Sequence, residues 1–267
     1  MDKAQIKLGI VGAGGKMGRE IAEFALKDSD FIEIQLFENP EYPQEKLDIY
    51  DHSKNSFVTF ELSNNINNCK EKLDVLIDFS LPDSTEMSIN YAAKNRVPLV
   101  VGTTGIEFLS EKIKKASRNT ALLISPNMSL GVNLCFRLAG LAAKALGNAY
   151  DIDIIEAHHR GKRDAPSGTA LQFGSVISEN IGKKLLENAV YGRKGPDSAR
   201  EDNGIGFQTI RAGDTVGDHT VSFAGAGERI EITHRATSRT SFVTGALKAA
   251  KWLIGRDNGL YSFNDIL

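Results

Sequence analysis

Cysteine, tryptophan and an excess of one charge are all scarce in this chain of 267 residues. It has one tryptophan and two cysteines, Cys69 and Cys135, which form no metal-type spacing. Two distant cysteines favour free thiols over a disulfide framework of the kind found in small secreted domains. The 32 basic and 34 acidic side chains leave a net charge of −2. This balance lacks the basic excess of a general nucleic-acid-binding protein.

Membrane-spanning runs and leader-like segments are also missing. No run approaches the ~20 apolar residues that span a bilayer, and the first six residues are too few and too polar for a secretory signal. We therefore expect a cytoplasmic protein with no membrane and no nucleic-acid partner. With 41% hydrophobic and 25% charged residues, the composition is typical of a globular protein. The length predicts one large domain or two modest ones.

Short apolar runs alternate with helical periods in the first 130 residues. Runs typical of strands cover residues 6–11, 31–37, 74–79, 98–101 and 121–124. Helical spacing of apolar residues lies between them, at 19–26, 83–95 and 107–118. Strands that alternate with such helices predict βαβ units and a parallel sheet. Residues 42–72 are polar and predict only a weak strand near 57–62.

The pattern changes near residue 130, where we place a domain boundary. A long apolar helix at 132–146 precedes a strand at 151–158, a helix at 167–181 and a loop over 191–204. Three strand candidates then follow without helices between them, at 205–211, 219–223 and 229–234. An amphipathic helix at 241–254 ends the pattern. This half predicts an α+β domain with a mixed or antiparallel sheet.

A glycine-rich turn follows the first predicted strand and opens the first helix. Gly12, Gly15 and Gly18 fit the spacing G-x-x-G-x-x-G, with Gly14 added, whereas the generic fingerprint is G-x-G-x-x-G. Glycines allow a tight turn close to a pyrophosphate, and N–H groups at the helix N-terminus face the anion. Glu38 ends the second strand, where a carboxylate can accept hydrogen bonds from ribose hydroxyls. The first half is therefore predicted to be a Rossmann-like dinucleotide-binding domain in an α/β fold.

The residue after Glu38 bears on which dinucleotide binds. An arginine there favours the 2′-phosphate of NADPH, and this chain has Asn39 instead. Lys16 is a nearby cation that can meet either phosphate group. We expect NADH or NADPH as the cofactor, with NADH favoured. The turns at 102–104 and 125–128 also end predicted parallel strands, which makes them candidates for the nicotinamide side.

The densest group of reactive side chains follows the strand at 151–158. Five basic side chains fall within six positions: His158, His159, Arg160, Lys162 and Arg163. A Pro-Ser-Gly-Thr sequence then begins a helix, and cations beside a helix N-terminus suit a small dicarboxylate. Histidine can also deliver a proton near neutral pH. A solvated basic loop is the alternative interpretation of the same residues.

Metal binding is not predicted from the histidines. His158 and His159 are adjacent and lack a third ligand at a useful spacing. The three other histidines are isolated in the sequence and are expected to be structural: His52, His219 and His234.

Together these motifs resemble the dihydrodipicolinate reductase family, the 4-hydroxy-tetrahydrodipicolinate reductases of diaminopimelate and lysine biosynthesis. The likeness covers essentially the whole chain and is most specific over residues 158–170, His-His-x-x-Lys-x-Asp-Ala-Pro-Ser-Gly-Thr-Ala. It implies a dinucleotide-binding domain of residues 1–130 completed by 241–267. It also implies a substrate-binding and tetramerisation domain of residues 131–240, NAD(P)H as reductant and a homotetramer.

The resemblance also implies a role for each matching residue. His158 and Lys162 are the implied catalytic proton donors, with the donor in the chemical step left open, and His159, Gly168 and Thr169 are the implied substrate ligands. Fourteen residues are implied to contact the cofactor: Gly12, Ala13, Gly14, Gly15, Lys16, Met17, Glu38, Gly102, Thr103, Thr104, Ser125, Pro126, Asn127 and Met128. The chain departs from family patterns at Asn39 and at Gly161, where some relatives carry arginine and histidine respectively.

Two other functions stay open from the residues alone. One is a different two-domain NAD(P)-dependent dehydrogenase of amino or hydroxy acids, which would keep the glycine turn without needing the block at 158–170. The other is a non-catalytic dinucleotide sensor, which would need no acid–base groups.

Overall fold

The computed structural model describes residues 5–69, 71–196 and 198–267. Residues 1–4, part of the segment considered as a leader, and residue 197, within the predicted loop over 191–204, lie outside the described residues. The chain divides into two compact units. The first consists of Met1–Ser129 and Thr240–Leu267, and the second of Leu130–Arg239. Cys69 and Cys135 are free thiols, as predicted.

The described residues form strands and helices that we number along the chain. The strands are β1 (Ile6–Val11), β2 (Phe31–Phe37), β3 (Lys46–Asp51), β4 (Ser56–Ser63), β5 (Val75–Asp78), β6 (Leu99–Val101), β7 (Ala121–Ile124), β8 (Asp151–His158), β9 (Ala189–Tyr191), β10 (Ile205–Arg211), β11 (Gly217–Gly225), β12 (Glu228–Ala236) and β13 (Gly259–Tyr261). The helices are α1 (Lys16–Lys27), α2 (Pro82–Asn95), α3 (Ser110–Ala116), α4 (Leu130–Leu146), α5 (Gly168–Asn180), α6 (Leu185–Asn188) and α7 (Thr240–Leu253).

The first unit is built on one eight-stranded sheet in the order β13-β7-β6-β5-β1-β2-β4-β3. Its strands pair in parallel, except that β3 and β4 are antiparallel. The predicted parallel, Rossmann-like sheet is therefore confirmed. The strand order reverses at β1, which has β2 on one side and β5 on the other. In open α/β sheets, ligands bind in the crevice at such a reversal, outside the carboxyl ends of the strands.

Burial explains why these segments form strands and helices. All four residues of β5 are buried, as expected for a central parallel strand covered on both faces. In α1 the buried residues are Gly18, Ile21, Ala22 and Ala25, which recur at helical spacing along one face. The C-terminal segment returns to this unit, because β13 pairs in parallel with β7.

The second unit contains a five-stranded sheet in the order β12-β11-β8-β10-β9. The sheet is mixed, as predicted, because β8, β10 and β9 are parallel whereas β11 runs antiparallel to both β8 and β12. Helices α4 and α5 supply the other layer of the core. The rings of Phe136 and Phe173 meet edge to face at a centroid distance of 4.5 Å. Burial of each such side chain contributes about 1.5–3 kcal/mol.

One helical stretch in this unit, Leu130–Ala149, is long and apolar enough by composition to cross a membrane, with a mean hydropathy of 1.3. The sequence predicts an apolar helix at 132–146 but no run of membrane-spanning length, and the helical stretch is longer than that prediction. Val132, Phe136, Ala139 and Ala143 recur along one face and are buried in the core of the second unit. One face of the stretch thus packs against the core of the second unit, whereas Leu134, Leu138 and Leu141 are exposed.

Candidate active site

The glycine-rich turn joins β1 to α1 through a backbone that requires glycine. Gly12 has a φ of 78°, in the left-handed region that residues with side chains seldom adopt. A Cβ added to Gly12 would lie 2.5 Å from the carbonyl oxygen of Phe79. The first turn of α1 carries two cations, Lys16 and Arg19, and no acidic side chain. These residues fit a dinucleotide pyrophosphate, which the helix N-terminus and its cations attract.

Glu38 is held at this turn by two backbone groups. The N–H of Gly14 donates to Oε2 of Glu38 at 2.7 Å, and the N–H of Asn39 donates to Oε1 at 2.9 Å. The guanidinium of Arg19 donates to the carbonyl of Gly14 and to the hydroxyl of Tyr42, both at 3.1 Å. The carboxylate is therefore oriented beside the glycine turn, where it can accept hydrogen bonds from ribose hydroxyls.

A cavity of about 490 Å³ opens beside Glu38 and Asn39. Three carboxylates line it, those of Glu38, Glu45 and Glu61. Lys46 pairs with Glu61 at 2.8 Å, which leaves the lining predominantly acidic. An acidic lining repels a phosphate group more than it repels a hydroxyl group.

The other two segments expected to contact the cofactor also follow parallel strands of the first unit. Gly102, Thr103 and Thr104 come after β6, and Ser125, Pro126, Asn127 and Met128 come after β7. Thr104 and Pro126 are exposed. Thr103 is only 8% exposed and Met128 only 1%, so neither offers much of its surface to a ligand. All fourteen residues therefore lie at the carboxyl-end edge of the same sheet.

Several polar groups of the second unit surround Glu156. This residue lies on β8, two positions before His158, and is 1% exposed. Its carboxylate accepts hydrogen bonds from Arg211 Nη1 and Nη2 at 3.1 and 2.9 Å. It also accepts from the Thr209 hydroxyl at 3.1 Å and the Ser167 N–H at 3.2 Å. Nδ1 of His158 forms a further hydrogen bond with Oε2.

These contacts set the protonation of the pair. Burial raises the pKa of Glu156, but hydrogen bonds and charge from Arg211 and His158 outweigh it and hold that pKa below its usual value. Burial lowers the pKa of His158 and outweighs the hydrogen bond to Glu156, which acts in the opposite direction. At neutral pH the pair is thus a carboxylate and a neutral imidazole. The Nδ1–H of His158 donates to Glu156, which leaves Nε2 as the open ring nitrogen.

The loop after β8 brings the remaining substrate candidates to the same place. The N–H of Lys162 donates to the carbonyl of His159 at 3.1 Å, and the ammonium pairs with Asp164 at 2.9 Å. Arg211 also donates to the carbonyl of Asp164 at 2.6 Å, which ties the loop to Glu156. The positive charge of Lys162 acts on His158 and contributes to its lowered pKa.

Helix α5 begins beside this loop. Its N-cap is Ser167, whose hydroxyl accepts the N–H of Ala170 at 3.2 Å. Gly168 is exposed and Thr169 half-buried in the first turn. The N–H groups of a first helical turn attract carboxylates, so the helix start and the cations of the loop can serve one dicarboxylate.

His219 also belongs to this cluster, although its isolation in the sequence indicated a structural role. In the register of β11 with β8 it lies opposite Glu156, and its ring centroid is 5.1 Å from that of His158. Its Nε2 is 3.0 Å from the hydroxyl of Ser167. Burial, assisted by the neighbouring His158, lowers the pKa of His219 to about 3.

Glu156, His158 and His219 have the spacing of a metal site, with one ligand atom from each within 4.8 Å of the others. The guanidinium of Arg211 already contacts both oxygens of Glu156. A divalent cation there would lie against a positive charge. The donor set therefore fits a hydrogen-bonded proton network better than a metal ion.

The sequence patterns assigned no role to Glu156 or Arg211 and indicated only a structural role for His219. Glu156 had one available signal, because alternation along β8 places it on the buried face with Ile154 and His158. Arg211 is brought to the site by the pairing of β10 with β8, where it lies opposite His158. No pattern of neighbouring residues in the sequence predicts the pairing of β10 with β8.

Two family models match consecutive parts of the chain. The model described as "Dihydrodipicolinate reductase, N-terminus" matches residues 6–128, and "Dihydrodipicolinate reductase, C-terminus" matches residues 131–267. A curated relative, the 4-hydroxy-tetrahydrodipicolinate reductase of Dechloromonas aromatica (strain RCB), is 42% identical over 265 residues. The match covers 98% of this chain and 97% of that protein.

Solved structures show the same fold. A dipicolinate-bound dihydrodipicolinate reductase from Paenisporosarcina sp. TG-14 matches with a TM-score of 0.75 at 23% identity, over 98% of this chain and 100% of that one. A probable dehydrogenase from Thermotoga maritima matches with a TM-score of 0.60 at 12% identity, over 97% and 92%. At these identities the likeness concerns the fold alone.

Proposed function

Because the chain belongs to the dihydrodipicolinate reductase family, we propose that its two units divide the family's reaction between cofactor binding and proton supply. The reaction is the NAD(P)H-dependent reduction of 4-hydroxy-2,3,4,5-tetrahydrodipicolinate to 2,3,4,5-tetrahydrodipicolinate in diaminopimelate and lysine biosynthesis. This family membership decides against a different dehydrogenase and against a non-catalytic sensor.

The first unit binds the cofactor in this proposal. The turn at Gly12 places the first turn of α1, with its N–H groups and Lys16, at the pyrophosphate, and Glu38 accepts hydrogen bonds from the ribose. The turns at 102–104 and 125–128 lie along the same sheet edge and contact the nicotinamide half. When bound, the nicotinamide supplies a hydride.

The second unit binds the substrate and supplies the proton. The overall reaction takes up one hydride and one proton and releases one water. Lys162, His159 and the first turn of α5 at Gly168 and Thr169 hold the two carboxylates. These anionic groups favour a protonated Nε2 on His158, and Glu156 stabilises the resulting imidazolium from behind. The buried Glu156–His158 pair beside Lys162 is the observation that carries the proposal.

The double variant His158→Ala with Lys162→Ala tests this division. Because general acid catalysis contributes roughly 10²–10⁴-fold, kcat should fall by at least about a hundredfold. NADH should still bind to the first unit. Turnover is measured as NADH oxidation with substrate made in situ from pyruvate and aspartate semialdehyde, and binding by NADH fluorescence. Loss of NADH binding would show that the site is misplaced.

Cofactor choice follows from the charge around Asn39. The acidic cavity and the neutral side chain at this position support a preference for NADH over NADPH. Asn39→Arg adds a cation where the 2′-phosphate would lie, and a charge-assisted contact of this kind changes affinity about tenfold or more. The ratio of kcat/KM for NADPH to that for NADH should rise accordingly. An unchanged ratio would indicate that Lys16 already serves the phosphate.

Assembly and compartment complete the proposal. The family resemblance points to a homotetramer, and the face of the second sheet that carries Ile155 and Ile210 supports it. Ile155 and Ile210 are 36% and 48% exposed, which leaves apolar surface available to a second copy of the chain. Ile155→Glu with Ile210→Glu should lower the mass in light scattering, and a variant of unchanged mass would exclude this face. We place the enzyme in the cytoplasm.

A further inference from the structure

The end of β5 carries a buried carboxylate that the proposed function leaves unused. Asp78 is the last residue of β5 and is fully buried. It lies opposite Val11 of β1 in the strand register, so it stands beside the glycine turn where the strand order reverses. An ionised carboxylate in such a position is expensive unless donors surround it.

One oxygen of Asp78 collects donors from three segments of the chain. Oδ1 accepts the N–H of Ser80 at 2.9 Å and its hydroxyl at 2.7 Å. It also accepts the hydroxyls of Thr103 at 2.9 Å and Thr85 at 3.2 Å. Oδ2 is buried without a hydrogen-bond partner among the described residues. Four donors directed at one atom are satisfied better by a carboxylate than by a neutral amide oxygen.

The same contacts fasten together the turns that meet the cofactor. The N–H of Ser80 also donates to the hydroxyl of Thr103 at 3.1 Å, and the N–H of Gly102 donates to the carbonyl of Asp78 at 2.8 Å. The turn after β5 in addition closes on Gly12, where an added Cβ would lie 2.9 Å from Cα of Ser80. The turns after β1, β5 and β6 therefore meet at Asp78.

We propose that Asp78 is a positioning residue of the cofactor site. Its carboxylate holds Ser80 and Thr103 so that the backbones of the three turns are set before the dinucleotide arrives. The inference rests on the proposed assignment of Gly12 and residues 102–104 to cofactor binding. Because the proton-supplying groups belong to the second unit, weakening the contacts of Asp78 should raise KM for NADH much more than it lowers kcat.

Three variants separate positioning from general stability. Asp78→Asn keeps the shape and removes the charge, so the dissociation constant and KM of NADH should rise about tenfold or more. At saturating NADH, kcat should stay within about twofold. Ser80→Ala removes a donor from the turn itself and should raise KM severalfold. Thr85→Val is the matched control, because it removes a donor to the same oxygen from α2. The Thr85 hydroxyl also lies 3.4 Å from that of Ser80, but its removal leaves every backbone contact of the three turns in place, so KM should stay unchanged.

The melting temperatures of all three variants are measured beside the NADH titrations. Equal KM values for Ser80→Ala and Thr85→Val would overturn the proposal, and this comparison decides the question even where Asp78→Asn does not fold. Glu38→Gln tests the underlying assignment separately. If it leaves NADH affinity unchanged, the cofactor assignment fails. If it weakens NADH while the Asp78 and Ser80 variants do not, only the positioning role fails.

Discussion

Replacing Glu156 by glutamine tests whether this residue controls the protonation of His158. The substitution preserves the size of a side chain that is 1% exposed. It removes the negative charge that receives two hydrogen bonds from Arg211, at 2.9 and 3.1 Å, and one from His158. It also introduces an amide N–H₂ group among donors. One oxygen of the original carboxylate therefore becomes a donor that faces other donors.

The size of the effect follows from these contacts. Removing one partner of a buried ion pair typically costs about 3–5 kcal/mol, and Arg211 would keep its charge without its carboxylate. The free energy of unfolding should fall by an amount in this range. The hydrogen bond and the charge of Glu156 both raise the pKa of His158. Their loss should move that pKa still further below its usual value.

The assay is the pH dependence of kcat/KM for the substrate. If His158 must carry a proton, kcat/KM is full below its pKa and falls about tenfold per pH unit above it. In Glu156→Gln this decline should begin at a lower pH than in the unaltered enzyme. The dissociation constant of NADH should stay the same.

Asp153→Asn is the matched control for stability. Asp153 lies on the same strand and binds Arg193 at 3.2 Å and Arg200 at 2.5 Å, so the variant also weakens carboxylate–arginine pairs. In the part of the chain that the structure describes, Asp153 has no hydrogen bond or ion pair with His158. A shifted profile in Glu156→Gln alone supports control of protonation. An unshifted profile in a folded Glu156→Gln enzyme would refute the reasoning and leave Glu156 a purely structural role.

Other substitutions test other parts of the molecule. Burial lowers the pKa of His219 to about 3 in the folded protein, against about 6.5 in the unfolded chain. Between these pH values the unfolded state binds more protons. His219 therefore lowers the free energy of unfolding by about 2 kcal/mol as the pH falls from 7 to 5. Urea unfolding at pH 7 and pH 5 should show the advantage of the unaltered protein over His219→Gln in free energy of unfolding shrink by that amount. The same advantage at both pH values would contradict the prediction. Gly12→Ala should lower the melting temperature more than Gly105→Ala. Their φ angles are similar, 78° and 75°, but an added Cβ meets backbone atoms only at Gly12. Equal decreases in melting temperature would show that the backbone strain of a positive φ, and not the steric clash, sets the cost. The wild-type pH profile tests His158 as the proton donor: kcat/KM should decline as the pH rises through a value below 6.5, and this decline should be absent from His158→Asn. A wild-type profile without that decline would exclude His158.

Patterns of consecutive residues in the sequence predicted those parts of the fold that neighbouring residues determine. The turn at Gly12 and the strand before Glu38 were predicted correctly, because both depend on consecutive residues in the sequence, a glycine-rich segment and an apolar run. Strand β13 was missed because it has three residues and forms through pairing with β7, far away along the chain. Strand β3 was missed although its alternation of polar and apolar residues is typical of a half-buried strand, because the segment around it is polar.

The same distinction explains the candidate site. His158 and Lys162 were identified because they stand in one compact block whose pattern is specific. Their supporting groups come from other strands. Arg211 reaches Glu156 across a separation of 55 positions, and His219 reaches Ser167 across 52. Such partners are fixed by strand register, which depends on the packing of the whole sheet.

Asp78 and Glu156 show how each unit uses a buried carboxylate. Each ends or nearly ends a strand, is buried, and gathers donors from loops that carry a proposed function. Burial of a charge opposes folding, so neither residue is explained by stability alone. If each organises only its own unit, Asp78→Asn should change NADH affinity and leave the pH profile in place. Glu156→Gln should do the reverse, and a variant that changes both properties would show that the two networks are not independent.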